Sequence, residues 1–225
     1  MNSLLDTSCC QLCPRTCKVN RQLATGFCGC TNEVKVARAA LHMWEEPCIS
    51  GKKGSGTVFF SGCTLKCCFC QNFQINCENF GKILSASQLS EVFLKLQEEG
   101  AHNLNLVTPT QYLPFIIEAL DKIKSVLSIP VIYNCGGYER PEIISLLKDY
   151  VDIYMPDLKY YDTSLSFSYS KAKDYFFFAS KAILKMVQQT GTPVFNEDGI
   201  LQKGVLIRHL VLPGCKEDSD RKSVV

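Results

Sequence analysis

With 225 residues, 46% of them hydrophobic and 20% charged, the chain can bury one sizeable core and carry a small appendage. A formal net charge of +2, with Lys and Arg scattered along the chain, is too small to imply a nucleic-acid or acidic-membrane partner, and neither is expected. No apolar run approaches the ~20 residues that span a bilayer, and the start MNSLLDTSCCQLC has no basic stretch followed by an apolar one, so a cytoplasmic location is expected.

The first segment, 1–55, is rich in cysteine and punctuated by glycine. Fourteen cysteines are many for this length, and ten of them fall in two clusters, 9–30 and 63–70. In a reducing compartment such clustering means metal or redox chemistry more often than disulfides. Cys10, Cys13, Cys17 and Cys28 form a C-x2-C-x3-C-x10-C pattern, with Cys9 and Cys30 as alternates. Four thiolates close a tetrahedral site, so a structural zinc is the leading expectation. An auxiliary iron–sulfur cluster and unligated thiols are the alternatives, and the ferredoxin spacing is not met.

From Gly56 onward, in the expected main domain 56–225, strand-like apolar runs alternate with helix-period stretches. The runs are 57–62, 103–108, 130–135, 151–158 and 205–212, and their continuous apolar character suits strands covered on both faces. Between the first two, Leu89, Val92, Phe93 and Leu96 mark a helix that Ser85 or Ser87 caps and Gly100 closes. Between the second and third, Pro114 sits in the first turn of a helix with an apolar face of Leu113, Ile116, Ile117, Leu120 and Ile123. Pro141 opens a third helix with Ile144 and Leu147. This repeating β/α unit predicts a parallel sheet, either doubly wound or curled into a full or partial barrel. In a barrel, Cys63, Thr108, Thr110, Asn134, Asp157 and Lys159 all stand at the strand ends that form the mouth.

The loop 61-SGCTLKCCFCQN-72 follows the first of these strands and holds Cys63, Cys67 and Cys70 in a C-x3-C-x2-C pattern, with Cys68 as a bystander. A zinc knuckle or buried free thiols would also use such cysteines. Three thiolates on a 4Fe-4S cube, however, leave one iron open to a small molecule. The loop, the strand before it and the aromatic at Phe69 resemble the radical S-adenosylmethionine (SAM) superfamily. The segments 151-VDIYMPDLKY-160 and 205-VLIRHLVLPG-214 resemble the fourth and fifth strands of pyruvate formate-lyase activating enzymes. The motifs 10-CQLCPRTC-17 and 44-WEEPCISG-51 are similar to those of the proteins related to these enzymes, so the likeness runs from Cys10 to Gly214.

The resemblance implies an α/β fold, a partial (β/α)6 TIM-like barrel of radical SAM type with the Cys-rich N-terminal segment appended. It implies a 4Fe-4S cluster on Cys63, Cys67 and Cys70, SAM bound at the open iron, and reductive cleavage to a 5'-deoxyadenosyl radical that abstracts hydrogen. Asp157 and Lys159 would lie near SAM, Arg208 along the fifth strand within reach of its ribose or carboxylate, and Phe69 beside its adenine. Activating enzymes carry a GGE motif after strand two, where this chain has 107-VTPTQ-111, so the Thr108 and Thr110 hydroxyls would stand in for it. Asn134 and the pair in 135-CGGYE-139 follow strand three. Implied partners are a glycyl radical enzyme or another protein substrate, and a low-potential electron donor such as flavodoxin or ferredoxin. Other substrates, a peptide or a small molecule, and an inactive metal-binding remnant are the alternatives.

The chain ends soon after the fifth strand, in CKEDSDRKSVV, so the sixth strand is expected to be missing and the fifth to be an unpaired edge. His42, His102 and His209 are too far apart for a local metal motif, and Glu45 and Glu46 before Pro47 read as two exposed carboxylates at a turn.

Overall fold

In the computed structural model, which describes residues 3–222, the chain begins with an irregular cysteine-bearing segment and then builds one sheet flanked by helices. The strands are β1 (Val34–His42), β2 (Ser55–Phe60), β3 (Lys82–Leu84), β4 (Leu104–Val107), β5 (Val131–Cys135), β6 (Ile153–Leu158), β7 (Val194–Phe195), β8 (Leu201–Val205) and β9 (Arg208–His209). The helices are α1 (Pro47–Ser50), α2 (Phe73–Asn76), α3 (Ala86–Glu98), α4 (Leu113–Ile123), α5 (Pro141–Leu146), α6 (Thr163–Ser170), α7 (Tyr175–Thr190) and α8 (Lys216–Lys222). The strand order is β3-β1-β2-β4-β5-β6-β8-β7, with β9 also on β6. β2, β4, β5 and β6 run parallel, and β6 continues the parallel pairing with both β8 and β9. This open, mixed sheet is the expected α/β partial barrel.

Local chemistry explains the elements that the pattern predicted. Ser85 is the cap of α3: its hydroxyl accepts from Gln88 N at 3.2 Å while the Gln88 side chain accepts from Ser85 N at 2.9 Å, satisfying two otherwise orphan donors. Pro114 and Pro141 sit in the first turns of α4 and α5, where a missing N–H costs nothing.

The structure departs from the expectation at three places. The antiparallel strands β1 and β3 were not foreseen; β1 lies in the N-terminal segment and pairs with β2. The run 205–212 is not one regular strand: Leu206 and Ile207 fall between β8 and β9, although Leu206 N still donates to Tyr154 O of β6 at 2.9 Å. Nor is the fifth strand a bare edge: β7 pairs antiparallel with β8.

Two apolar layers result from the alternation of side chains along the strands. Val58, Phe60, Leu104, Leu106, Val131, Tyr133 and Tyr154 face the helices in the main core. Ile132, Ile153, Met155 and Leu201 point to the inner face, where Ile49 of α1 packs among them. The inner face turns polar toward the C-terminal strand ends, at Asn134, Asp157 and Arg208. No helix among the described residues is long and apolar enough to cross a membrane.

Candidate active site

The three-cysteine loop is held from several sides. Gly62 has φ +77, and a Cβ there would run into Cys30 Sγ and the Cys28 carbonyl, so only glycine lets the loop lie against the N-terminal segment. Cys63 N donates to Cys28 O at 3.4 Å. Arg15 donates through Nε to Thr64 O at 3.0 Å and through its other nitrogens to the carbonyls of Ser170 and Lys171. Gln111 Nε2 donates to the carbonyls of Ser61 (3.0 Å), Gly62 (3.1 Å) and Thr108 (2.7 Å), tying this loop to the one after β4.

Each of the three sulfurs has a donor aimed at it. Leu65 N lies 3.4 Å from Cys63 Sγ, the Ser170 hydroxyl 2.8 Å from Cys67 Sγ, and Asn76 Nδ2 3.3 Å from Cys70 Sγ. Burial pushes the Cys63 thiol up to about 12 and raises that of Cys67, although Lys159 and Ser170 oppose the shift at Cys67. A thiolate at such positions needs a cation to offset desolvation, and the iron of a bound cluster would supply it. Cys68 is exposed, as its bystander reading requires.

All three cysteines line one cavity of about 850 Å³, within the range of cofactor and ligand sites. Phe69, Thr108, Asn134, Asp157, Lys159 and Arg208 line it too, so most of the expected site residues converge. Asp157 is the hub. It accepts from Lys159 Nζ at 2.6 Å and from Arg208 Nε at 2.8 Å, while Arg208 Nη2 donates to Asn134 Oδ1 at 2.7 Å. Burial pulls the Lys159 ammonium down, but Asp157 and the Cys67 sulfur outweigh it and leave its pKa raised. Gly137, at φ +80, brings the loop after β5 against the Asp157 carbonyl, where a Cβ would collide. Phe69 stands beside Tyr160, with ring centroids 6.4 Å apart.

Thr110 requires a correction. Its side chain turns away from the cavity into a buried ring in which its hydroxyl lies 2.8 Å from Glu139 Oε1. The Tyr133 hydroxyl lies 3.1 Å from both Thr110 Oγ1 and Glu139 Oε2. Complete burial pushes the Glu139 carboxyl up to about 8, against the two hydroxyls. A protonated carboxyl completes the ring, because three O–H donors then serve three contacts. Thr108 alone of the two threonines reaches the cavity, at a left-handed φ of +56.

The N-terminal thiols differ. Cys10, Cys13 and Cys28 are buried, Cys17 half-buried, and the Cys17 and Cys28 sulfurs both flank Gly26. A zinc ion needs its thiolates about 2.3 Å from one point, and among the described residues no three His, Cys, Asp or Glu side chains converge in that way. The expected zinc therefore has no preformed seat. That criterion does not bear on Cys63, Cys67 and Cys70, because a cubane takes each thiolate on a different iron.

Sequence reasoning gave no site role to Arg38, His42, Glu45 and Glu46, which also line the cavity. Glu45 is not an exposed turn residue: its side chain is 11% exposed and its carboxylate lies 3.9 Å from Arg208 Nη1. Only the return of β1 along β2 brings these residues to the cavity; WEEP carries no local sign of it.

A parallel β/α sheet whose first parallel strand delivers three cysteines to a polar, ligand-sized cavity defines a class of cluster-bearing enzyme in which an open iron faces a bound molecule. Residues 57–217 match the family model described as the Radical SAM superfamily. The chain belongs to that superfamily, which implies a 4Fe-4S cluster and SAM here. It is also 31% identical over 213 residues to an uncharacterized protein of Methanocaldococcus jannaschii, an alignment covering 91% of this chain and 57% of that protein. The chain thus spans a little over half the length of this relative.

Proposed function

We propose that the protein cleaves SAM reductively and takes hydrogen from a substrate held in the cavity. The observation that supports this most directly is the convergence of Cys63, Cys67 and Cys70 with the Asn134–Arg208–Asp157–Lys159 network on one cavity. A 4Fe-4S cluster on the three cysteines would supply the electron that breaks the sulfonium C–S bond. The protein's own part is positional. Asp157 fixes the directions of Lys159 and Arg208, and Asn134 fixes the Arg208 fork, so remaining N–H groups face a ligand carboxylate or ribose without reorganisation. Phe69 and Leu65 cover the cavity wall beside the cysteines and limit water. The electron would come from a low-potential donor protein of the flavodoxin or ferredoxin kind.

Resemblance to the activating enzymes favours a glycyl residue of a partner protein as hydrogen donor. Ile49, filling the inner face below the cavity, favours a second reading, a small molecule or single side chain, because it leaves less room for a threaded peptide loop.

The test is 5'-deoxyadenosine release by the anaerobically reconstituted chain given SAM and a low-potential reductant, beside a Cys63→Ala/Cys67→Ala/Cys70→Ala variant. Release by the parent alone supports the proposal; none from a parent with full iron content refutes it.

A further inference from the structure

The segment 43–51 enters the inner face of the sheet and is fixed there at several points. Ile49 is fully buried among Ile132, Ile153, Met155 and Leu201, and its carbonyl accepts from Asn103 Nδ2 at 2.8 Å. The Ser50 hydroxyl accepts from Glu45 N at 2.9 Å and donates to His42 O at 3.3 Å. The two carboxylates just before α1 are thus held against the cavity by packing and backbone contacts.

Neither is adequately partnered. Glu45 has Arg208 Nη1 at 3.9 Å, beyond hydrogen-bonding distance, because that guanidinium is committed to Asp157 and Asn134. Burial raises the Glu45 pKa, with Arg208 opposing and Glu46 adding to the rise. Glu46 Oε2 is buried with no hydrogen-bond partner. A further group, outside the cavity lining, also lacks partners. Asn105 is fully buried, and both of its amide atoms lack partners. It lies on the inner face of β4, in register with Thr57 and Ile132 and one pleat below Val107, a residue of the cavity wall. Buried acceptors without donors are costly, and two carboxylates lining the cavity, one with an unpartnered buried oxygen and the other no nearer than 3.9 Å to its cation, point to a ligand that brings donors and positive charge. Among the described residues no three His, Cys, Asp or Glu side chains converge on an ion site, and the Arg208 guanidinium beside Glu45 opposes a dication.

We propose that Glu45 and Glu46 receive a cationic amine of the molecule bound in the cavity. This rests on the radical SAM reading for the identity of the cavity's occupants. The amine belongs either to the methionine part of SAM or to the hydrogen-donating substrate; a primary ammonium, with three donors and no acceptor, suits two carboxylates in either case.

The test uses the anaerobically reconstituted full chain and the isosteric Glu45→Gln/Glu46→Gln variant, matched for iron content, with the single variants as a fallback if the double variant takes up less iron. SAM binding is followed by the electron paramagnetic resonance of the reduced cluster. Binding of n-butylammonium, with SAM present, is followed by emission of Trp44, the sole tryptophan, which is 88% exposed at the cavity rim. n-Butanol is the neutral control of equal length. A loss of at least ~10-fold in SAM affinity in the variant assigns the amine to SAM; the same loss for n-butylammonium alone assigns it to the substrate. If SAM affinity stays within about 2-fold and n-butylammonium either does not bind the parent or binds both proteins equally, the proposal is overturned. A parent that binds no SAM instead refutes the radical SAM reading, while the amine titration, run without SAM, still decides the role of the carboxylates.

Discussion

The Ser170 hydroxyl lies 2.8 Å from Cys67 Sγ and 2.6 Å from the Tyr160 hydroxyl, so a chain of two hydroxyls ends on one of the three cysteines expected to hold the cluster. Hydrogen bonds to ligating sulfur stabilise the more negative, reduced state and raise the potential. Ser170→Ala is expected to move the cluster to a more negative potential and Tyr160→Phe to do so less, in a redox titration of the reconstituted protein. Equal potentials in parent and Ser170→Ala would show that this hydroxyl does not reach the ligated sulfur.

Asp157 separates two cations. Lys159 and Arg208 contact it at 2.6 and 2.8 Å, with side chains 15% and 31% exposed. Asp157→Ala removes the close counter-charge of both cations, leaving Arg208 only the 3.9 Å contact with Glu45, and a cost of about 2–4 kcal/mol is expected from the partly buried setting. Guanidinium denaturation reads this directly. A change below about 0.5 kcal/mol would mean that the pairs behave like surface ion pairs.

Ile49 anchors the carboxylate-bearing segment. Ile49→Ala removes a fully buried side chain from a small cluster, for an expected loss of about 2–4 kcal/mol. The anisotropy of Trp44 emission is expected to fall as the segment loosens. Unchanged anisotropy together with the stability loss would place the anchoring elsewhere, in the Ser50 contacts.

Glu139 makes stability depend on pH. Its pKa is raised from 4.5 in the unfolded chain to about 8 in the folded one, so the folded state binds the proton more tightly. Its contribution is therefore fully present below about pH 4.5 and is lost as pH rises to about 8, with roughly 4–5 kcal/mol as an upper bound. Glu139→Gln keeps the shape without the titration. The parent is expected to lose stability relative to this variant across that window, in denaturation curves at successive pH values; parallel curves would show that Glu139 ionises normally.

How much was legible follows from what is local. The cysteine spacing at 63, 67 and 70, the cap at Ser85 and the prolines at 114 and 141 act within a turn or two of themselves, and each stands where its spacing implied. Asp157, Lys159 and Arg208 were reached through motifs at strand ends, and their mutual contacts follow from the pairing of β6 with β9. Thr110 was misplaced because the first residues after β4 form a tight turn, with Thr108 in the left-handed region, that sends alternate side chains in opposite directions. In α7 the apolar run is nearly continuous, and periodicity alone does not distinguish it from a strand.

By itself the sequence determined the β/α repeat, the three thiols with one iron left open, and the family. Spacing and periodicity are properties of neighbouring residues, and short-range sterics and hydrogen bonding decide them. Only the tertiary structure decided that Glu45 and Glu46 line the same cavity as the cysteines, that Glu139 is sealed with Thr110 and Tyr133, and that Ile49 fills the inner face. Those relations join residues far apart along the chain. They arise from the curl of the sheet and the return of β1 along β2, where burial converts ordinary carboxylates into groups that need a partner.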